Sequence, residues 1–155
     1  MLSDKTLTNT SFNYLSSSCE FLNLVLNSIS SCVLLLNHRM ELQAYNDALK
    51  TIFSNRENED LLYIKCGEAI GCAYAIEEAK ECGKTSRCES CDLRVAALET
   101  YATRKNIYKD HIFRPFFDRN QHKVDKHLQF STRFFKFEDE NYIILIIEDI
   151  SKHFI

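Results

Sequence analysis

The sequence predicts an α+β domain with a five-stranded antiparallel sheet, helices on one face of the sheet and a further helix at the N-terminus. Strand-like apolar segments form two groups, two segments around residue 38 and three after residue 106, and helical patterns separate the groups. The length of 155 residues suits one domain with a single core. A content of 45% apolar and 26% charged residues is ordinary for a soluble globular chain.

The first part of the chain predicts a lead-in followed by a helix. Residues 1–15 are rich in Ser, Thr and Asn and are expected to form a flexible lead-in. Apolar residues then recur at helical spacing over residues 16–30. They are Phe21, Leu22, Val25, Leu26 and Ile29. Cys19 and Cys32, which flank this stripe, are interpreted as small buried hydrophobic residues.

A hairpin and a short helix are predicted next. The apolar run at residues 32–36 and the run at residues 40–45 fit two strands joined by a turn. Asn46 and Asp47 are residue types that cap helices, and they precede an apolar pattern over residues 48–53.

A long helix is predicted to begin near Ser86. Ser86 and Glu89 have the spacing of a capping box, in which each side chain satisfies a backbone N–H group at the helix start. The helix is expected to run to about Arg104. Its buried face would consist of Cys91, Val95, Leu98 and either Tyr101 or Ala102.

Three strands are predicted to complete the sheet. The first covers residues 107–113 and ends near Pro115, because proline interrupts strand pairing. The second covers residues 124–137. The third covers residues 142–150 and is almost continuously aliphatic, which predicts a central position in the sheet.

Residues 66–91 form a cysteine-rich segment that contains five of the seven cysteines and all three glycines. Thiolates are soft metal ligands, and glycines let the backbone turn so that several sulfurs can converge. The predicted metal ligands are Cys72, Cys82, Cys88 and Cys91. Cys66 is an additional candidate ligand or resolving thiol.

The ligand type leaves the metal open, because four thiolates suit both tetrahedral zinc and a [4Fe–4S] cluster. Zinc sites are usually built from two close pairs, whereas only Cys88 and Cys91 form such a pair here. This irregular spacing favours the cluster. A zinc ion, a thiol/disulfide switch, a metal that only stabilises the segment and a segment without any cofactor remain alternatives.

Other classes of function receive little support. The formal net charge of -3 argues against a nucleic-acid partner. A secretory signal and an apolar run of membrane-spanning length are both lacking, so a cytoplasmic location without membrane contact is expected. The sequence contains no glycine-rich phosphate loop, and neither a nucleophile with a base nor paired carboxylates stand out, so we do not expect an enzyme. The five histidines show no ligand spacing on one helix.

Three stretches of the sequence resemble PAS domains. The stretch VLLLNHRMELQAYNDAL resembles the opening hairpin of the family, with Tyr45 and Asn46 before the next helix. The stretch YIILIIEDIS resembles the last strand, with its terminal Asp149, Ile150 and Ser151. The cysteine-rich segment is similar to a cysteine-bearing subgroup of sensor proteins.

This resemblance implies that residues 16–155 form one PAS-type sensory domain. Such a domain would bind a metal centre held by four cysteines and report redox, oxygen or metal state. Dimers that form through the N-terminal helix are common in the family, so a homodimer is expected. Because the chain stops just after its last strand, the output partner is expected to be a separate signalling protein such as a histidine kinase or a regulator. The alternative is a PAS-like module that zinc holds together and that binds a protein or a small ligand without a redox response.

Overall fold

The computed structural model describes residues 19–56 and 59–154 and confirms the predicted α+β class. The sheet has the order β2-β1-β5-β4-β3, and all neighbouring strands are antiparallel. Its strands are β1 (Cys32–Leu36), β2 (Leu42–Tyr45), β3 (Ile107–Phe117), β4 (Lys123–Phe137) and β5 (Glu140–Asp149). The aliphatic strand β5 is central, as its composition predicts.

Five helices accompany the sheet in the described residues. They are α1 (Cys19–Asn27), α2 (Ala48–Ile52), α3 (Cys66–Ile70), α4 (Ala73–Glu78) and α5 (Asp92–Thr103). Short 3-10 turns lie at Ser54–Arg56, Cys88–Ser90 and Ser151–Phe154. No helix in this part of the chain is long and apolar enough to cross a membrane. The predicted lead-in over residues 1–15 and the side chain of Cys19 lie outside the described residues.

The core lies between one face of the sheet and the helices. Alternate residues of each strand point into it, as the two-residue period of a strand requires. On the central strand these are Ile143, Leu145 and Ile147, all with 0% exposure. Cys32 is also fully buried, which confirms its predicted role as a small hydrophobic residue.

Helix α1 is amphipathic as predicted, but its apolar side chains remain largely outside the core. Leu22 is 37% exposed and Leu26 is 41% exposed; Ile29 of the predicted stripe lies beyond the end of the helix and is 40% exposed. Leu24, on another side of the helix, is 65% exposed. The stripe of the N-terminal helix therefore stays available on the surface of a single chain.

Asn46 does not cap a helix, so the predicted cap is wrong at this residue. Its side chain is 3% exposed and accepts a hydrogen bond from the N–H of Val33 at 2.9 Å. Its amide group donates to the carbonyl oxygens of Leu26 and Ser31, both at 2.9 Å. The side chain thus joins α1 and the start of β1 to the end of β2. Asp47 occupies the N-cap position of α2 without a side-chain cap bond.

The long helix begins at Asp92, so the predicted start at Ser86 is wrong. Ser86 does not form a capping box with Glu89; its N–H and hydroxyl groups donate to the carboxylate of Glu78 on α4. A 3-10 turn follows, and Cys91 occupies the N-cap position of α5.

The buried face of α5 also differs from the prediction. Val95 is 46% exposed, whereas the fully or nearly buried positions are Leu93, Ala96, Ala97 and Thr100. Small alanine side chains let the helix approach the sheet closely. The hydroxyl groups of Thr100 and Thr132 form a buried hydrogen bond of 2.6 Å between α5 and β4.

Strand β3 continues through Pro115 to Phe117, so its predicted end is also wrong. It is an edge strand, where a missing N–H group can face away from the neighbouring strand. Every second residue at this end of the strand, Ile112, Arg114 and Phe116, is buried on the core side, and Pro115 between them is buried as well. An arginine on the core face of a strand is unusual, because charged side chains are rarely buried.

We expect Asn46→Ala to lower the free energy of unfolding by about 2–4 kcal/mol, because buried backbone groups of three residues lose their hydrogen-bond partner. Urea denaturation of the reduced protein measures this change. Asn120→Ala, in an exposed turn, is the control and should change stability by less than about 0.5 kcal/mol. Equal effects of the two changes would contradict the role of Asn46.

Candidate metal centre

The cysteine-rich segment is more regular than the sequence indicates, because α3 and α4 both lie within it. Gly71 separates the two helices and has a φ of +77°, a left-handed conformation that favours glycine. A Cβ atom there would lie 2.7 Å from the carbonyl oxygen of Phe117 and 2.8 Å from the Cβ of Asn55. Only glycine therefore lets the segment pass this close to the end of β3.

Five cysteine side chains line one cavity beside the sheet, with a volume of about 30 Å³. They are the four predicted ligands, Cys72, Cys82, Cys88 and Cys91, and the additional candidate Cys66. All five are free thiols. Within residues 19–56 and 59–154, however, no group of three or more His, Cys, Asp or Glu side chains is arranged to hold a metal ion. The thiols share a cavity, but their sulfur atoms do not point at one centre.

Cys72 lies beside the edge strand. It pairs with Phe116 of β3 as an isolated antiparallel bridge, and the N–H of Phe117 donates to the carbonyl oxygen of Gly71 at 2.9 Å. Both Cys72 and Cys82 lie against Gly67: a Cβ atom at Gly67 would lie 2.9 Å from the sulfur of Cys82 and 3.6 Å from the Cβ of Cys72. The missing Cβ at Gly67 therefore leaves room for both cysteine side chains.

Arg114 extends from β3 into the same cavity and is 9% exposed. Its guanidinium donates to the sulfur of Cys72 at 3.9 Å and stacks on the ring of Tyr74, 5.1 Å from its centroid. No carboxylate in the described part of the chain forms an ion pair with it. Although burial opposes the charge, Cys91 and Cys72 in their thiolate forms raise the pKa of Arg114. The cation is thus paired with sulfur.

Cys88 has the strongest thiolate environment. Its sulfur accepts hydrogen bonds from the N–H of Gly83 at 3.1 Å and the N–H of Thr85 at 3.3 Å, and the hydroxyl of Thr85 lies at 3.0 Å. Burial tends to raise the pKa of this thiol, but the Thr85 and Gly83 bonds and the charge of Arg94 outweigh burial, so the pKa is lowered.

Three other cavity thiols, Cys66, Cys82 and Cys91, favour the protonated form when no metal is bound. Burial raises the pKa of Cys82 to about 11 and the pKa of Cys66 well above its ordinary value. Burial also raises the pKa of Cys91, and the nearby charge of Arg114 offsets only part of this effect. A bound metal would supply the positive charge that these thiolates need.

The histidines do not join the cavity. His111 and His127, which the sequence does not pair, meet across β3 and β4 with ring nitrogens 2.7 Å apart. Phe154 stacks on both rings, at centroid distances of 4.8 and 4.0 Å. His111 and Phe154 are exposed and His127 is half-buried, and none of the three lines the cysteine cavity. Cys32 also lies outside the cavity lining, and burial raises its pKa to about 12.

Sequence reasoning missed Arg114, Thr85 and the hydrogen bond that the N–H of Gly83 donates to Cys88. The early end assigned to β3 hid Arg114, since the alternation that directs it inward becomes visible only when the strand reaches Phe116. Thr85 stands three residues before Cys88, a spacing at which a side chain or backbone N–H can reach the sulfur.

No family model and no curated protein matches the sequence. Solved structures do match it. The PAS domain of nitrogen regulation protein NR(II) from Vibrio parahaemolyticus has a TM-score of 0.60 at 11% identity, over 83% of this chain and 97% of that domain. The PAS domain of an HTR-like protein from Haloarcula marismortui has a TM-score of 0.54 at 13% identity, over 90% and 98% of the two chains.

A PAS domain from a two-component sensor histidine kinase gives a TM-score of 0.56 at 9% identity and covers 91% of this chain and 99% of that one. An RNA-binding light-oxygen-voltage receptor gives a TM-score of 0.60 at 14% identity. The match covers 99% of this chain and 38% of the receptor. The chain therefore has the fold of a PAS domain. At these identities the likeness extends to the fold and does not reach the cysteine cavity.

We expect Cys88 to be the fastest cavity thiol to react with iodoacetamide in metal-free, reduced protein, because the thiolate is the reactive form. Its lowered pKa means that the reaction begins at a lower pH than for an ordinary cysteine. Thr85→Val should raise the pKa of Cys88 and slow the reaction several-fold near pH 7. Mass spectrometry of timed samples identifies the labelled residues.

Thr103→Val, at the exposed end of α5, is the matched control and should leave the rate at Cys88 unchanged. If Cys82 or Cys66 reacted before Cys88, the thiolate environment described above would be wrong.

Proposed function

We propose that this chain is a PAS-type sensory domain that carries a [4Fe–4S] cluster on Cys72, Cys82, Cys88 and Cys91. The domain reports redox, oxygen or metal state to a separate signalling protein. The observation that carries the proposal is Arg114, a buried cation that faces five thiols in one cavity and has no carboxylate partner in the described residues. We propose a sensory role and not a catalytic one. The cytoplasmic location expected from the sequence stays a prediction.

Burying the charge of Arg114 away from water costs free energy. A guanidinium stays protonated at any physiological pH, so it cannot avoid this cost by losing its proton. An isolated buried charge costs several kcal/mol unless an opposite charge lies beside it. The thiols are the groups around Arg114 that can supply negative charge, and metal binding keeps them deprotonated. A metal centre held by four thiolates is anionic and therefore suits this cavity.

The side chains must turn for the centre to form. Cys88 now directs its sulfur toward Gly83 and Thr85, and Cys72 directs its sulfur toward Arg114. A change of side-chain rotamer is small compared with a change of fold, and ligand binding commonly selects such minor conformers. When bound, an iron–sulfur cluster would supply a reversible one-electron or oxygen-sensitive centre.

One observation favours zinc as the alternative. The cavity of about 30 Å³ accommodates about two water-sized bodies, which suits a single ion better than a cluster unless the thiols move apart. A zinc ion would hold the segment together and leave the domain as a protein-binding or ligand-binding module without a redox response. The irregular spacing of the cysteines supports the cluster, and metal analysis decides between the two.

The positions of the ligands suggest how the signal leaves the site. Cys91 precedes α5, which packs on β4 and β5, and Cys72 pairs with β3. Loss or oxidation of the centre would remove the link that it makes between these two attachments and would let α5 shift against the sheet. The exposed stripe of α1 supports a homodimer as the assembly that passes this change to a histidine kinase or a regulator.

We expect protein purified without oxygen to be brown, with a broad absorption band near about 400 nm that bleaches in air, and with iron and sulfide in similar amounts. Cys72→Ser and Cys91→Ser should each lower the iron content several-fold, because a ligand is lost. Cys32→Ser, a buried cysteine outside the cavity lining, is the matched control and should keep the iron. Iron, sulfide and zinc analysis with an absorption spectrum measures all of these changes.

A colourless protein with one tightly bound zinc ion that the cavity variants lose would establish the zinc alternative. A protein without iron, sulfide or zinc after anaerobic purification and reconstitution would contradict both metal proposals.

We expect Arg114→Met to lower metal occupancy and, for a cluster, to shift the reduction potential to more negative values, because a positive charge beside an anionic centre favours adding an electron. The same change should leave the metal-free protein equally stable or more stable, since a buried cation is costly without its counter-charge. Potentiometry and metal analysis measure the first effects, and urea denaturation measures the last.

Arg133→Met, on an exposed position of β4, is the control for losing one arginine. If both variants kept the same metal content and potential, Arg114 would have only a packing role.

A further inference from the structure

A second pocket opens to solvent next to the cysteine cavity, and its walls are basic. Its volume is about 230 Å³. Four cationic side chains from separate parts of the chain line this basic pocket. They are Arg39 from the β1–β2 turn, Lys65 before α3, Lys84 after Cys82, and Arg94 on α5.

Positive charge exceeds negative charge in the basic pocket, although the whole chain has a formal net charge of -3. Glu81 is the one carboxylate of its lining, and it pairs with Lys84 at 3.1 Å. Arg39 has a looser pair with Glu41 at 3.7 Å, outside the lining. Bringing like charges together costs free energy, and an anion from solution would remove this cost.

The two remaining cations, Lys65 and Arg94, lie against the backbone. The ammonium group of Lys65 donates to the carbonyl oxygen of Arg39 at 2.8 Å. The guanidinium of Arg94 lies against Gly83, whose φ is +100°, and a Cβ atom at that residue would lie 3.0 Å from the Nη1 atom of Arg94. In the described part of the chain neither cation forms an ion pair with a carboxylate. Lys65 is therefore available to a ligand, and Arg94 would share its charge between a ligand and the thiolate form of Cys88.

We propose that the basic pocket binds a small multivalent oxyanion, a metabolite that carries a phosphate group or several carboxylates. The guanidinium of Arg94 offers paired N–H donors that match two oxygens of such a group, and Lys65 and Lys84 add point charges. The volume of the basic pocket, about 230 Å³, is larger than one small ion would fill and suits a small metabolite. Arg94 also lines the cysteine cavity, so the bound anion would contact a residue of the candidate metal centre.

The proposal does not depend on which metal the cysteines hold. It can therefore be tested on the full chain in its metal-free, reduced form. We would titrate ¹⁵N-labelled protein with inorganic phosphate and, separately, with citrate, and hold the ionic strength constant with chloride. Saturable shifts are expected at the amides of Arg39, Gly83 and Lys84. Tighter binding of phosphate would indicate a phosphorylated ligand, and tighter binding of citrate a polycarboxylate.

Arg94→Gln should weaken the binding of the preferred anion about ten-fold, the effect of one charge-assisted hydrogen bond. Lys84→Gln should weaken it by a smaller factor. Lys136→Gln, which removes the same charge from an exposed position of β4, is the matched control and should bind like the unchanged chain.

Shifts that chloride alone reproduces, or equal affinities for Arg94→Gln and Lys136→Gln, would overturn the proposal. Because no metal takes part, such a result would leave the iron and zinc analysis of the cysteine cavity unaffected.

Discussion

Arg114 places a permanent positive charge on the core face of an edge strand, and the cysteine-rich segment is folded around that charge. Its neighbours on the same face, Ile112 and Phe116, are buried and apolar, so the strand itself offers no counter-charge. The segment meets it with the ring of Tyr74 and the sulfur of Cys72. An aromatic face and a polarizable sulfur stabilise a cation only in part, whereas a thiolate centre would neutralise it.

Glycine makes this arrangement sterically accessible. At Gly71 the backbone takes a conformation that side chains disfavour, and the chain passes within contact distance of Phe117 and Asn55. At Gly83 the missing Cβ leaves room for the guanidinium of Arg94, while the N–H of the same residue donates to Cys88. The glycines therefore let thiols and cations lie close together. In this segment the glycine positions say more about the geometry of the site than the cysteine spacing alone.

The sequence predicts the elements whose pattern is strong and local. The aliphatic run of β5 identifies a central strand, because burial in the sheet dictates those residue types. Asn46 could not be interpreted from its neighbours, since its partners Leu26 and Ser31 are distant in sequence and a cap uses the same residue type. Pro115 likewise reads as a strand end unless the strand is known to lie at the edge of the sheet.

In the candidate site, too, a local pattern identifies a residue from the sequence, whereas a role that depends on a tertiary contact stays hidden. Cysteine has few roles in proteins, so five cysteines in one segment indicate a candidate thiol site without any tertiary information. Arginine is common on surfaces, and only its burial makes Arg114 significant. Arg94 gains its significance from position, since it borders both the cysteine cavity and the basic pocket. Because the charge of Arg94 also lowers the pKa of Cys88, an anion at Arg94 and an anionic centre on the cysteines would share this cation, and binding at one site would weaken binding at the other.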